Sequence, residues 1–210
     1  MFRLICLLIG YAFGCIQSAY IAGRINGMDI RDHGSGNSGF TNATRVLGRK
    51  AGIMVFVADV AKTIGAFVVA SLIFDGGGTF FYSNYVLPGL YAGLGAVLGH
   101  VFPVVLKFRG GKGIACTVAI VLMLDWRVAL IIFGIGIVIV IVTRYISAAS
   151  LFITLFTPVM MLVFGYGLEA VGITVILGAL AWYLHRGNIQ RLLNGTERKF
   201  SLARDKPEKS

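Results

Sequence analysis

Seven apolar runs cover most of this chain, at about 3–25, 51–74, 85–106, 113–124, 127–143, 146–165 and 169–185. A helix needs around 20 apolar residues, at 1.5 Å rise each, to cross a bilayer core, and most of the runs supply them. Of 210 residues, 57% are apolar and 13% charged, where a soluble domain sits near half and a quarter. That balance excludes a disordered chain, a nucleic-acid-binding domain with a conventional core, and an ordinary cytosolic enzyme. The predicted fold is therefore all-α: a polytopic integral membrane helix bundle with seven transmembrane helices, forming one unit over residues 1–202. Residues 203–210, rich in Lys, Asp, Pro and Glu, read as a polar, flexible tail.

The formal charge of +10 would suggest nucleic acid in a soluble protein, but here its distribution matters more. Arg24, Arg31, Arg45, Arg49 and Lys50 separate the first two runs, and 75–84 has no Lys or Arg. Lys107, Arg109 and Lys112 follow, then Arg144, a bare 165–169 and a basic tail after His185. Of 19 basic residues, only Arg3, Lys62 and Arg127 fall off one side of a seven-helix arrangement. The positive-inside rule then places the amino terminus outside and the carboxyl terminus in the cytoplasm. The fourth run reaches only about 18 Å. Reading it as re-entrant would invert everything after it and put the basic tail outside, so seven crossings are expected. The first run lacks the small-x-small cleavage pattern of a signal peptide. The 28 glycines, roughly double average usage, let membrane helices approach closely. Cys6, Cys15 and Cys116 lie inside apolar runs, imply no disulfide framework and have no zinc spacing.

Polar residues are costly in a membrane protein and therefore informative. They collect in three clusters, each holding one of the three histidines, and the topology puts all three on the cytoplasmic side. The first spans 29–45 and includes His33, Ser35, Gly36, Asn37, Thr41, Asn42 and Arg45. The second runs through His100 and Lys107 to Gly110-Gly111-Lys112-Gly113. The third holds His185, Arg186, Asn188 and Glu197. Glycine alternating with Ser and Asn can turn successive backbone N–H groups inward as an anion nest. The Gly-Gly-Lys-Gly segment adds an ammonium and opens a helix whose N-terminus favours anions. It is no Walker A loop, because Gly113 stands where Ser or Thr would hold magnesium. Each loop alone also fits a turn or a basic rim. Converging on one face, they suit ligands carrying more than one phosphate. Asp59 and Lys62, at i and i+3, neutralise one another inside the bundle.

The chain has no Gly-x-Ser-x-Gly elbow, no carboxylate five residues after any histidine, and no carboxylate cluster for magnesium. No metal and no cofactor are expected. A small membrane transporter of anionic solutes would also explain spans and basic loops, but its ionisable residues belong near the midplane, in repeats. A lipid-binding scaffold without turnover is a third reading, in which His185 would not matter.

Three long segments carry a family likeness: GSGNSGFTNATRVLG (34–48), GHVFPVVLKFRGGKG (99–113) and HRGNIQRLLNGTE (185–197). In order, they closely resemble the signature segments of the PlsY family, bacterial membrane glycerol-3-phosphate acyltransferases that use acyl phosphate as donor. Asp59-x-x-Lys62 and Arg144-Tyr145-Ile146-Ser147 also look like that family, and the resemblance runs from about residue 10 to 200. Phe40 stands where the family more often shows Ala, and Thr63 where Gly is usual.

The resemblance implies transfer of a fatty acyl group from acyl phosphate to the 1-hydroxyl of glycerol 3-phosphate, giving lysophosphatidic acid and phosphate. It implies a multi-pass protein of the bacterial cytoplasmic membrane whose active site faces the cytoplasm. The expected partners are the two substrates, membrane lipid and the soluble enzyme that supplies acyl phosphate, with no nucleic acid. Carried across, Ser35, Gly36, Asn37, Thr41 and Asn42 would hold donor phosphate. Arg45, Lys112, His185 and Asn188 would hold glycerol 3-phosphate and orient its hydroxyl. Gly111 and Gly113 would shape the phosphate loop, and His100, Lys107, Ser147 and Glu197 would support binding. His185, His100 or the donor's own phosphate would accept the hydroxyl proton. With no carboxylate evident to orient either histidine, the phosphate is favoured.

Overall fold

The computed structural model describes residues 1–75 and 86–200. The tail expected at 203–210 and most of the bare connection at 75–84 lie outside the described residues. Among those described, every regular element is helical: α1 (Phe2–Gly14), α2 (Ser18–Ile25), α3 (Phe40–Leu47), α4 (Arg49–Asp75), α5 (Leu87–Val101), α6 (Ile114–Leu124), α7 (Trp126–Thr143), α8 (Ile146–Val163), α9 (Leu168–Leu184) and α10 (Arg186–Leu193). Short 3-10 turns stand at Ile30–Asp32 and Val104–Leu106.

Every expected apolar run becomes helical. Phe2–Ile25, Arg49–Phe74, Leu87–Leu106, Trp126–Thr143 and Ile146–Val163 are long and apolar enough to cross a bilayer. Leu168–Leu184 with Arg186–Leu193 makes a sixth if the pair, bent by 60°, counts as one span. The remaining apolar helix, Ile114–Leu124, has 11 residues. At about 16 Å it is short against a hydrocarbon core of about 30 Å.

The first run is broken between Gly14 and Ser18 because its freed carbonyls find better partners than their own helix. Gln17 Nε2 donates to the carbonyls of Gly14, Gly99 and His100 at 3.0, 3.2 and 3.2 Å. Lys62 Nζ, arriving from α4, donates to Ile16 O at 2.5 Å and lies 3.3 Å from Gly14 O. A break in the hydrocarbon region is tolerated only where such groups re-satisfy the backbone. Lys62, expected to neutralise Asp59, thus also caps a broken helix.

Glycine sets how closely α1 and α5 pack. A methyl at Gly10 or Gly14 would collide with the carbonyl of Ala92 or Ala96, and one at Gly95 or Gly99 with that of Leu7 or Tyr11. Small residues four apart on both helices therefore bring the two backbones into direct contact, the association mode available where burying apolar surface gives no drive. Beside this pair, Phe67, Leu90, Leu94, Val97, Ile120, Leu124 and Leu177 form the core joining α4, α5, α6 and α9. By contrast α7 exposes Leu130, Ile137, Ile141 and Val142, an apolar surface for lipid.

The ends of α5, α7 and α9 and the starts of α4, α6 and α8 gather at one end of the bundle, where α2, α3 and α10 also lie. All three polar clusters belong to that end.

Candidate functional site

A cleft of about 690 Å³ opens among these helix ends. Its wall takes Ser35, Asn37, Thr41 and Arg45 from the first cluster, His100, Lys112 and Gly113 from the second, and His185, Asn188 and Glu197 from the third. Ser147, from the start of α8, joins them. The clusters are far apart in sequence, and the fold brings them into one cavity.

A hydrogen-bond chain organises the basic side. Lys112 Nζ donates to Asn188 Oδ1, whose Nδ2 donates to Glu197 Oε1 at 2.6 Å. Glu197 also accepts from Ser147 Oγ at 2.8 Å and from Arg191 Nε at 2.7 Å. These contacts fix which way the Asn188 amide faces. Burial raises the Glu197 carboxyl, but the bonds from Asn188, Ser147 and Arg191 outweigh it and hold the group below the usual carboxylate range. Burial, reinforced by Arg191, Arg45 and Arg186, pushes the Lys112 ammonium down to about 8 against the opposing pull of Glu197. Among the described residues, Arg45, Lys112, Arg186, Arg191 and Arg198 line the cleft against Asp59 and Glu197. Those two acids pair with Lys62 and Arg191, so the cavity keeps a positive surplus.

His185 caps the end of α9, and its Nδ1 lies 2.7 Å from Ala181 O. A carbonyl only accepts, so Nδ1 carries a proton and Nε2 is the atom left for a ligand. A backbone carbonyl thus orients this histidine without a carboxylate. The helix breaks at His185, and His185 and Asn188 reach the cleft from either side of the bend.

Other expected residues stand behind the wall. Asn42, 1% exposed, accepts from Ser35 N and donates to Ile30 O and His33 O, stapling the first loop from within. In that loop the N–H groups of Ser35, Gly36 and Gly39 all donate internally. The side chains of Ser35, Asn37 and Thr41 reach the cleft wall from this loop. Gly36 is absent from the wall, as is exposed Lys107. Gly111 lies beneath, its N–H donating to His100 O at 3.0 Å, and a side chain there would strike the His100 ring. At Gly113 the backbone has φ of 77°, a conformation that favours glycine, and it turns the chain into α6, whose Ile114 and Ala115 line the cleft.

Sequence reasoning missed the far partners of the Asp59–Lys62 pair. Asp59 lines the cleft, its Oδ1 is 2.8 Å from Lys62 Nζ and accepts from Ser18 Oγ at 3.0 Å, and Lys62 Nζ is 3.0 Å from His100 Nδ1. The aromatic rim was also missed. Phe40 packs on Phe56 and Phe200, with ring centroids 5.6 and 5.8 Å apart, and Phe200 N donates to Arg144 O at 2.6 Å. The segment through Glu197 to Phe200 thereby lies across one edge of the cavity.

Comparison with known proteins identifies relatives over nearly the whole chain. A family profile described as glycerol-3-phosphate acyltransferase matches residues 4–195. A glycerol-3-phosphate acyltransferase of Thermoanaerobacter sp. (strain X514) is 38% identical over 200 residues, 95% of this chain and 96% of its own. One from Aquifex aeolicus (strain VF5) is 36% identical, covering 95% of this chain and 100% of its own. Two crystal structures of PlsY, an integral membrane glycerol 3-phosphate acyltransferase, share the fold. The glycerol 3-phosphate form has a TM-score of 0.84 at 35% identity, and the lysophosphatidic acid form 0.81 at 34%. Each covers 95% of this chain and 96% of its own.

Proposed function

Because the chain belongs to the glycerol-3-phosphate acyltransferase family, an integral membrane family with bacterial members, we propose that it moves a fatty acyl group from acyl phosphate to the 1-hydroxyl of glycerol 3-phosphate. The products are lysophosphatidic acid and inorganic phosphate. The observation that carries this reading is the cleft's positive surplus at the end of an apolar bundle. Both substrates bring phosphate, and the donor also brings a hydrocarbon chain that belongs in lipid.

The chain crosses the bacterial cytoplasmic membrane seven times as one unit, α6 crossing as the short member. The amino terminus is outside and the cleft faces the cytoplasm, in line with the basic loops. Contact with the soluble enzyme that makes acyl phosphate belongs on that face.

In the cleft, Arg45, Lys112 and Asn188 hold glycerol 3-phosphate, while Ser35, Asn37 and Thr41 hold the donor phosphate. Gly36, Asn42, Gly111 and Gly113 shape these loops, Ser147 and Glu197 orient Asn188, and His100 contributes from the floor. Lys107 contributes charge at the rim. His185 accepts a hydrogen bond from the glycerol hydroxyl through Nε2 and aims the oxygen at the acyl carbon. The new ester C–O bond forms as the bond from acyl carbon to phosphate oxygen breaks, and the hydroxyl proton passes to the departing phosphate. Acyl phosphate is an activated mixed anhydride, so positioning and oxyanion stabilisation suffice, with no covalent enzyme intermediate.

The test is purified protein with glycerol 3-phosphate and either palmitoyl phosphate or palmitoyl-CoA, each with and without EDTA. Turnover with palmitoyl phosphate alone, unchanged by EDTA, is expected. Equal use of the CoA ester, or loss in EDTA restored by magnesium, would overturn the donor or the metal-free chemistry respectively.

A further inference from the structure

Asp59, Lys62 and His100 form a buried cluster at the floor of the cleft, with exposures of 1%, 7% and 3%. We propose that Asp59 and Lys62 are positioning residues that lock His100 as its Nε2–H tautomer, so that this imidazole donates a hydrogen bond to an anionic oxygen of a substrate. The substrate half of the proposal rests on the acyltransfer reading above; the tautomer does not.

Lys62 reaches the cluster from α4. Its Nζ lies 2.5 Å from Ile16 O, 2.8 Å from Asp59 Oδ1 and 3.0 Å from His100 Nδ1, with Gly14 O farther off at 3.3 Å, so the three N–H bonds serve the three nearer acceptors. An ammonium has three donors and no acceptor. The His100 Nδ1 facing it must therefore offer a lone pair. Asp59 Oδ1 is 3.6 Å from the same nitrogen, beyond hydrogen-bond length, and already accepts from Ser18 and Lys62. An Asp–His pairing of the hydrolase kind is thus displaced by the intervening lysine. A neutral ring whose Nδ1 accepts carries its proton on Nε2.

That proton has somewhere to go. Nε2 sits at the edge of the ring against Gly111, where any side chain would strike it, so glycine leaves the edge uncovered. His100 lines the cleft, and Nε2 meets no acceptor among the described residues. The Asp59–Lys62 pair cancels its own charge, leaving His100 as a directional, uncharged donor among the cleft's cations. Such a donor suits a phosphoryl oxygen or the oxyanion of a tetrahedral intermediate. These share one chemistry, an anionic oxygen, and the kinetic arms below separate them.

The tautomer is read first, by ¹⁵N–¹H long-range correlation on ¹⁵N-histidine-labelled full-length protein in nanodiscs, without substrate. His100→Gln identifies the His100 signals. The expected pattern is Nε2–H in the unmodified protein and a tautomer mixture in Asp59→Asn/Lys62→Met, which removes the donor without leaving a buried charge unpaired. An Nδ1–H signal in the unmodified protein would show an Asp59–His100 dyad and overturn the proposal. The kinetic arm compares two amides, His100→Gln, whose N–H falls near Nε2, and His100→Asn, whose N–H falls near Nδ1. Loss of a hydrogen bond to a charged group predicts a decrease of roughly tenfold or more in kcat/KM for the Asn variant. The Gln variant should keep most of its activity. A raised KM for acyl phosphate identifies the donor phosphate, a raised KM for glycerol 3-phosphate the acceptor phosphate, and a lowered kcat alone the oxyanion. Equal behaviour of the two amides would overturn the hydrogen bond. Failure of acyltransfer itself would leave the tautomer result standing, so the two readings fail separately.

Discussion

The two ends of this helix bundle both carry arginines and carboxylates, yet they do different things with them. Away from the cleft, Arg3 grips Glu169 through two bonds of 2.7 and 3.0 Å, with Tyr91 donating to the same carboxylate at 2.8 Å. At that end too, Arg127 pairs with Asp125 at 2.7 Å, and Tyr166 donates to Asp125. Glu169 and Asp125 each have their base, and the contacts tie α1, α5 and α9 together, and the α8–α9 turn to the α6–α7 turn. At the cleft end the two acids that line the cavity, Asp59 and Glu197, are likewise paired, but among the described residues Lys112, Arg186 and Arg198 add charge beyond that pairing. Matched charge joins helices, whereas excess charge in a cavity awaits an anion.

The sharpest way to break this contrast is Lys112→Ala. A charge-assisted phosphate contact is worth about 1.5–3 kcal/mol, so KM for glycerol 3-phosphate should rise roughly 10- to 150-fold with little change in Tm. Lys112→Arg should restore only part of it, because the glycine-lined loop suits a point charge more than a planar fork. Unchanged kinetics in the alanine variant would return Lys112 to the basic rim.

The same lysine gives the pH dependence its sign. With Lys112 pushed down to about 8 in the free protein, a bound phosphate raises it, and binding takes up a proton above that pH. KM for glycerol 3-phosphate should be flat below about pH 8 and climb by up to roughly tenfold per unit above it. Calorimetry in two buffers of different ionisation enthalpy should show proton uptake near pH 9. A KM independent of pH from 7 to 9.5 would contradict it.

A smaller difference is expected between His185→Gln and His185→Ala. Gln keeps a hydrogen-bonding end for the glycerol hydroxyl and should retain severalfold more kcat. If the donor phosphate takes the proton, the acid limb of the rate profile survives in His185→Gln. Disappearance of that limb, with substrate binding intact, would make His185 the obligatory base.

The smallest effect belongs to the far end. Arg3→Gln and Glu169→Gln should leave both KM values and kcat unmoved, since the pair touches no part of the cleft. A raised KM in either variant would end the division of labour between the two ends.

Much of this was legible along the chain because it depends on local pattern. The apolar runs gave the helices, and the Gly, Ser, Asn and basic clusters at 29–45, 99–113 and 185–197 marked the loops that meet at the cleft. Expectation and structure part where a long-range partner intervenes. The first apolar run breaks because Gln17 and Lys62 take its carbonyls. In the first loop Asn42 folds back, takes the Ser35 N–H and donates to His33 O, a staple no local pattern shows. No carboxylate was evident beside a histidine, yet Asp59 and Lys62 meet His100 across 41 and 38 residues of sequence.

By itself, then, the sequence determined that the chain is a helical membrane protein with its polar chemistry gathered in three loops. Hydropathy and helix-end composition are properties of neighbouring residues and need no fold to be read. The tertiary structure alone decided which side chains face the cavity, how Asn188 and His100 are turned, and which loop donors remain open. Those depend on hydrogen-bond partners far apart in the chain, and a buried polar group takes its direction from the partner that packing brings to it.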